Sequence, residues 1–284
     1  MSVEAAAPAV APAPVVGVAR GLFDFYLTSI RIAIATQFQY RMSNYFFMVG
    51  MVAEPVIYLV VWSTIAEQQG GALGGLTTGQ FAAYFIVWTL VRNMNFVSVG
   101  AWEQRVRTGE LSGWLLRPLH PLHWDVGYFA GWKLVVIVLW LPIAVVLSIL
   151  FRPTLDPRLI DVIVFAVAIW GAYLVRTMTY AVLGMISFWT TRVWPAVQVV
   201  MTLELLLSGR LVPLSLLPEW ARVLANILPF KWTFGYPIEA LVGRLPEAEL
   251  LAGLVVQLAW IALGAVVFRY AWRIAVRRYS AVGG

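Results

Sequence analysis

The chain has 284 residues, of which 61% are hydrophobic and 12% are charged, and its mean hydropathy is +0.82. A soluble domain is about half apolar and about a quarter charged, and one water-soluble core of this length cannot hide the excess because too much of the chain stays at its surface. With no cysteine, two histidines and a net charge of +6, the sequence excludes disulfides and thiolate metal sites, and its basic residues are better explained as topology signals beside membrane spans than as a nucleic-acid surface.

The N-terminal region divides into two parts. Residues 1–19 are mostly Ala, Pro and Val, which predicts a disordered tail, and they lack the basic start of a secretory signal. Residues 20–41 predict an amphipathic helix with one narrow polar stripe, made of Arg20, Asp24, Thr28, Arg31, Ala35 and Gln39. This stripe favours a helix that lies in the membrane interface, and a helix packed in a membrane-embedded core is the alternative.

Residues 42–273 predict an all-α domain with six transmembrane helices, because six segments approach the roughly 20 apolar residues that a span needs. These segments are 43–66, 80–102, 127–150, 161–189, 193–211 and 250–273. Six spans place both termini on one side. With that side inside, twelve basic residues flank the spans there and six flank them outside, so the positive-inside rule predicts cytoplasmic termini and a cytoplasmic tail at 274–284.

Two connections between the predicted spans are more than turns. The Trp/Leu-rich loop, residues 103–126, is basic yet dense in Trp and Leu, and we place it on the inner side. The proline-rich segment, residues 212–249, carries five prolines and two apolar stretches that are too short to cross a bilayer. Because irregular backbone at membrane depth must be buried in protein or line a cavity, this segment predicts two short re-entrant or interfacial helices that enter from outside.

Four charged residues fall inside the predicted spans, and such residues are functional candidates by default. Counted at about 1.5 Å per residue, Glu54, Arg92, Arg176 and Glu204 all come near the middle of the membrane. We therefore predict that Glu54 pairs with Arg92 and that Glu204 pairs with Arg176. Such pairs either only fix helix packing or line a polar path, and the sequence leaves both possibilities open.

The sequence lacks the motifs of common enzymes. It contains no G-x-x-x-x-G-K-[ST] phosphate loop, no H-E-x-x-H and no G-x-S-x-G. His120 and His123 lie three residues apart, but no third ligand of the usual kind accompanies them. We therefore expect no catalytic residue, no metal and no cofactor on this chain.

Two groups of motifs resemble one transporter family. The stretch VRTGEL at 106–111, followed by LLRPL at 115–119, resembles the ABC-2 permeases, which are the membrane subunits of type V ABC exporters. SG at 208–209, VP at 212–213, LPEW at 217–220 and LPF at 228–230 resemble the segment before the last span of the same family. The resemblance covers the chain from the interfacial helix to the C-terminus.

This resemblance implies a bacterial cytoplasmic-membrane exporter subunit that works with a separate ABC ATPase, which holds the ATP and Mg²⁺, and with a second copy of itself or a sister permease. It implies that the Trp/Leu-rich loop docks on the ATPase through Arg105, Arg107, Gly109, Leu111, Trp114, Leu115, Arg117 and Pro118. It also implies a path lined by the first, second and fifth spans, with Trp62 and Trp88 as candidate contacts. An external gate would lie in the proline-rich segment, at Pro213, Pro218, Trp220 and Pro229.

Three alternatives stay open from the sequence. The Trp/Leu-rich loop could contact anionic lipid head groups instead of an ATPase. The whole chain could be a secondary transporter that uses its buried charges as a proton relay, or an integral membrane enzyme that acts on lipids. Neither the cargo nor the choice between a homodimer and a heterodimer can be read from the residues.

Overall fold

The computed structural model describes residues 17–39, 41–190, 192–243 and 245–279. Most of the predicted N-terminal tail, Arg244 and the last five residues of the predicted cytoplasmic tail lie outside these ranges. The helices of the described residues are α1 (Val18–Gln39), α2 (Arg41–Gln68), α3 (Thr78–Met94), α4 (Ala101–Arg107), α5 (Leu111–Leu115), α6 (Pro121–Phe151), α7 (Leu159–Gly184), α8 (Trp194–Leu207), α9 (Glu219–Ile227), α10 (Gly235–Leu241) and α11 (Glu247–Ala275). A two-residue hairpin, β1 (Ala72–Leu73) with β2 (Leu76–Thr77), joins α2 to α3.

Each of the six predicted spans coincides with a helix, namely α2, α3, α6, α7, α8 and α11. Within the described residues, three stretches are long and apolar enough to cross a membrane: Pro121–Phe151, Leu159–Phe188 and Glu247–Arg278. Helices α3 and α8 have 17 and 14 residues, which is less than the roughly 20 that a full crossing needs. The chain is thus an all-α membrane protein, and six complete crossings stay a prediction.

The boundaries of two predicted spans were wrong. Helix α3 ends at Met94 instead of residue 102, because the residues after it use their backbone groups in tertiary contacts. The carbonyl oxygen of Asn95, for example, accepts a hydrogen bond from Arg176. Helix α6 begins at Pro121 instead of residue 127, because proline suits the first turn and the Nδ1 atom of His120 accepts a hydrogen bond from the Leu122 amide (3.1 Å). The connection between these helices therefore runs from 95 to 120 and contains α4 and α5.

Helix α1 packs along the first half of α6. All six residues of its predicted polar stripe are exposed, whereas Ser29 and Ala33 on the opposite face are buried. The two helices approach closely because α6 carries glycine at the contact: a Cβ atom on Gly131 would lie 2.6 Å from the Ile30 carbonyl oxygen and 2.8 Å from the Ala33 Cβ. The amphipathic helix is thus confirmed, and its place in the membrane interface stays a prediction.

The main apolar core surrounds α3, which is buried along almost its whole length. Trp88, Tyr84 and Phe85 are fully buried there and contact α2, α6 and α10. The proline-rich segment contains two short helices in the predicted stretches, and their entry into the membrane from outside stays a prediction. Helix α10 is buried against α3 and α7, whereas α9 exposes an apolar face.

The close contact between α1 and α6 generates a prediction about stability. Gly131→Ala places a methyl group against the Ile30 carbonyl and destabilises the fold by about 1–3 kcal/mol through overpacking. Gly21→Ala is the matched control in α1: nothing lies within 4 Å of its Cβ position, so the gain in helix propensity raises stability by up to about 1 kcal/mol. Thermal unfolding midpoints in one detergent should shift in opposite directions, and a rise for both variants would contradict the packing.

Candidate functional site

A buried ion pair joins α7 to α8. The Nε and Nη2 atoms of Arg176 donate to the two carboxylate oxygens of Glu204 at 2.8 and 2.9 Å, and the Tyr180 hydroxyl donates to the same carboxylate at 3.0 Å. The exposed fractions of the two side chains are 9% and 2%. The predicted pair is therefore confirmed as a bidentate ion pair, the geometry that holds a carboxylate most firmly.

Arg176 also reaches the end of α3. Its Nη1 atom donates to the carbonyl oxygen of Asn95, and the side-chain amide of Asn95 donates to the carbonyl oxygen of Thr233 in the proline-rich segment. The Gly235 amide donates to the Ser208 carbonyl oxygen at 2.7 Å. The end of α3, the end of α8 and the start of α10 thus meet around one buried arginine.

The second predicted pair is also confirmed, but it is part of a larger cluster. Glu54 lies 2.5 Å from Arg92 (Nη2–Oε2) and 3.2 Å from Arg210 (Nη2–Oε1), so one carboxylate serves two guanidinium groups. The Tyr58 hydroxyl adds a long hydrogen bond to the same carboxylate at 3.4 Å. Between 18% and 29% of each charged side chain is exposed, which makes this cluster more accessible than the Arg176–Glu204 pair.

The structure corrects the sequence interpretation of Arg210, which counted this residue as a charge on the outer flank. Helix α8 is only 14 residues, or about 21 Å, long, and Arg210, three residues after its end, contacts Glu54 of α2. Gly209 turns the chain there with a φ of +85°. The shortness of this helix was the signal that sequence reasoning missed.

Lys133 was also misassigned to the inner flank. It lies inside α6, its side chain is fully buried, and its Nζ atom donates to the Phe96 carbonyl oxygen at 2.8 Å. The ammonium group lies 4.0 Å from the centre of the Tyr173 ring, a cation–π contact. Lys133 is therefore a buried charged residue that the sequence analysis did not count among the four charges inside the spans.

A cavity of about 440 Å³, which we name the arginine cavity, lies between α2, α3, α7 and α8. Arg92, Arg176 and Arg210 line it together with apolar side chains. Its volume falls within the range of small-molecule sites. Trp62 and Trp88, which were predicted path contacts, do not line it: Trp62 stacks on Phe81, and Trp88 is buried in the core.

The residues predicted to dock on an ATPase separate into a buried and an exposed group. Arg105 is buried and forms a bidentate ion pair with Asp125 of α6 at 2.8 and 2.5 Å. Leu111 is fully buried, and Gly109 is a half-buried turn with a φ of +75°. Arg105 and Leu111 thus pack within the chain, and their contact with a partner stays a prediction.

Exposed residues of α4, of α5 and of the turn after α5 form the part of the loop that we name the docking surface. It consists of Arg107, Leu115, Leu116, Arg117 and Pro118. Leu116 is 89% exposed, and the guanidinium of Arg117 lies 4.1 Å from the centre of the half-buried Trp114 ring. The docking surface therefore contains exposed apolar side chains and two exposed arginines.

The C-terminus supports this surface, which sequence reasoning missed. The Tyr279 hydroxyl lies 2.9 Å from the Ser112 hydroxyl and 3.2 Å from the Gly109 carbonyl oxygen. Trp102 and Leu111 pack against Phe268 and other apolar residues of α11 in the same cluster. No local pattern in the sequence relates these residues, because the two hydrogen bonds of Tyr279 span 167 and 170 positions.

The four predicted gate residues do not gather at the arginine cavity. Pro213 and Pro229 are buried beside α9, whereas Pro218 and Trp220 are exposed, and none of the four lines the cavity. Phe234 and Arg210 border it instead. The gate at the predicted positions stays a prediction.

The two histidines are engaged in packing and capping. His123 lies 2.7 Å from the Tyr26 hydroxyl, and His120 caps α6 and packs on the Trp272 ring at 4.3 Å between ring centres. Burial, with His123 and Arg105 nearby, lowers the pKa of His120 to about 4. In the described part of the chain no three potential ligands cluster as a metal site would require.

Comparison with known proteins gives one family. The model of a family described as "ABC-2 family transporter protein" matches residues 52–283. No curated protein sequence matches the chain.

The Arg176–Glu204 pair predicts a specific pattern in a double-mutant cycle. Arg176→Met leaves Glu204 as an unpaired buried carboxylate and destabilises the fold by about 3–5 kcal/mol. Arg176→Met combined with Glu204→Met destabilises less than the sum of the two single changes, because no charge is stranded. Unfolding titrations in mixed micelles measure this, with the exposed Arg222→Met as the control that changes little. Additive effects would contradict the pair.

His120 predicts a component of the pH dependence of stability. Its pKa is about 4 in the fold and about 6.5 when unfolded, so the unfolded chain binds the proton first and stability is lost as pH falls from about 6.5 towards 4. His120→Asn keeps an N-cap acceptor but does not titrate. Melting midpoints of the wild type and the variant, measured between pH 7.5 and 4.5, should diverge as the pH falls; parallel curves would refute a buried neutral His120.

Proposed function

Because the chain belongs to the ABC-2 family of transporter proteins, we propose that it is the permease subunit of an ABC exporter, which moves a substrate out of the cell with ATP hydrolysed by a separate ATPase subunit. The family and the long apolar helices make it a multi-pass membrane transport component. The proposal extends this to the bacterial cytoplasmic membrane, with both termini in the cytoplasm.

The docking surface is the observation that supports an ATPase partner best. Its exposed leucines fill a partner's groove while Arg107 and Arg117 meet acidic groups at the rim. An apolar anchor within a charged border gives an interface both affinity and orientation. The sequence itself contains no phosphate-binding loop, so the nucleotide and its Mg²⁺ belong to the partner.

A movement of the docking surface is transmitted to the membrane domain because α4 and α5 are fixed to its long helices. Helix α4 is fixed to α6 by the Arg105–Asp125 ion pair, and α5 is fixed to α11 by Leu111 and its apolar neighbours. Nucleotide can shift the permease only through contacts that differ between two states. In this proposal the docking surface carries that difference, and the helices anchored to it change the arginine cavity.

The arginine cavity serves as one half of the translocation path, and a second copy or a sister permease supplies the other half. Helix α2 faces the cavity with Phe46 and Gly50, and α8 does so with Met201. The proline-rich segment closes the path from outside.

The docking surface predicts a loss of complex formation. Arg107→Glu combined with Leu115→Asp reverses one charge and replaces an exposed leucine with a carboxylate, so binding of the ATPase subunit weakens by about 2 kcal/mol or more, the size of a hot-spot loss. The affinity between the purified permease and the ABC ATPase subunit that co-purifies with it measures this. Leu155→Asp, at an exposed leucine in the connection after α6, is the control and keeps wild-type affinity.

Two results would contradict this assignment. Unchanged affinity of the double variant would remove the docking surface from the ATPase interface. Loss of binding to anionic vesicles, with the ATPase affinity unaltered, would assign the surface to lipid head groups.

A further inference from the structure

The charges around the arginine cavity do not balance. Arg92, Arg176 and Arg210 line it, and Glu54 and Glu204 are the carboxylates that contact them. Three positive groups against two negative groups leave one excess positive charge. An uncompensated charge inside a membrane protein is costly, so this excess calls for an anion from outside the chain.

The excess positive charge lies at the end of the cavity that holds Arg92 and Arg210. Arg176 and Glu204 are sealed from solvent and neutralise each other, whereas Arg92 and Arg210 share the single carboxylate of Glu54. Among the described residues, Glu54 is the only carboxylate within 4 Å of these two arginines. The Nε atoms of both are buried without a hydrogen-bond partner, so each guanidinium has donor capacity to spare.

The rest of the cavity wall is apolar. It is formed by Phe46, Phe96, Val97, Val99, Met201 and Phe234. The Phe234 ring lies between the Arg176–Glu204 pair and the more accessible Glu54 cluster. Its centre is 5.8 Å from the guanidinium carbon of Arg176 and 5.9 Å from that of Arg210. A ligand that fits these walls has an apolar body, and one that fits Arg92 and Arg210 carries an acid group.

We propose that the arginine cavity binds an amphiphile with a single acid group, a phosphate or a carboxylate, and that such anionic amphiphiles are the substrate class of this permease. The acid group accepts hydrogen bonds from Arg92 and Arg210, and the apolar body lies against the phenylalanine, valine and methionine side chains. Glu54 is the internal counter-ion that holds both arginines when the cavity is empty. The assignment of substrate class rests on the proposed function; the binding site itself does not.

The shared carboxylate allows two variants with opposite expected effects. Arg210→Gln leaves the Glu54–Arg92 pair intact and the cluster neutral, so the fold is kept but anion binding weakens. Glu54→Gln removes the internal competitor and leaves both guanidinium groups for the ligand, so anion binding strengthens. A purely structural role for the cluster would make both variants bind less.

The test is photo-labelling of the full chain in nanodiscs of zwitterionic lipid. The probe is a dodecyl phosphate with a diazirine on its alkyl chain, and the matched probe carries trimethylammonium in place of phosphate. We expect the phosphate probe to label peptides that contain Phe96–Val99 or Met201, about tenfold more strongly than the ammonium probe. Arg210→Gln lowers this labelling about tenfold, the effect of one charge-assisted hydrogen bond. Glu54→Gln raises it, and the exposed Arg222→Gln leaves it unchanged.

Competition separates the sources of the anion. Unlabelled dodecyl phosphate should abolish labelling, while inorganic phosphate at the same concentration should not. Equal labelling by both probes, equal competition by inorganic phosphate, or weaker labelling of both charge variants would overturn the proposal. Because no ATPase is present in this measurement, a failure of ATPase docking and a failure of anion binding are seen separately.

Discussion

The ion pair between Arg176 and Glu204 is the contact on which the membrane domain depends. A buried guanidinium needs a carboxylate and further acceptors, and Arg176 finds them on α8 and at the end of α3. Asn95 then connects this point to the proline-rich segment. The ends of α3 and α8 and the start of α10 are therefore held together at a point where their backbone groups would otherwise lack hydrogen-bond partners. The arginine cavity lies beside this point.

The same physical rule explains the division of the Trp/Leu-rich loop. Its buried residues find their partners within the chain. Arg105 forms an ion pair with Asp125, and Leu111 packs among apolar residues of α4 and α11. Its outward residues, including Leu116 and Arg117, are exposed. A rigid base that carries an exposed, mixed apolar and basic patch suits a part that receives force from another subunit.

Much of this fold could be predicted from the sequence, because membrane spans are set by composition and both ion pairs follow from equal depth. The contacts of the charged residues near the ends of the spans could not be predicted. Arg210 and Lys133 look like flanking residues in the sequence, but they contact Glu54 and Phe96, which lie far away along the chain. The burial of Arg105 was equally hidden, since its partner lies on another helix. The exact end of α3 depends on Asn95, whose contacts are tertiary.

The most direct measurement of the central claim, that this chain is driven by a separate ATPase through its docking surface, is site-specific cross-linking in native membranes. A photo-reactive amino acid replaces Leu116, the most exposed leucine of the docking surface, and mass spectrometry identifies the partner. A permease without its own motor predicts an ABC ATPase as the major cross-linked protein. Cross-links to lipid alone, in membranes where the chain still transports, would contradict it.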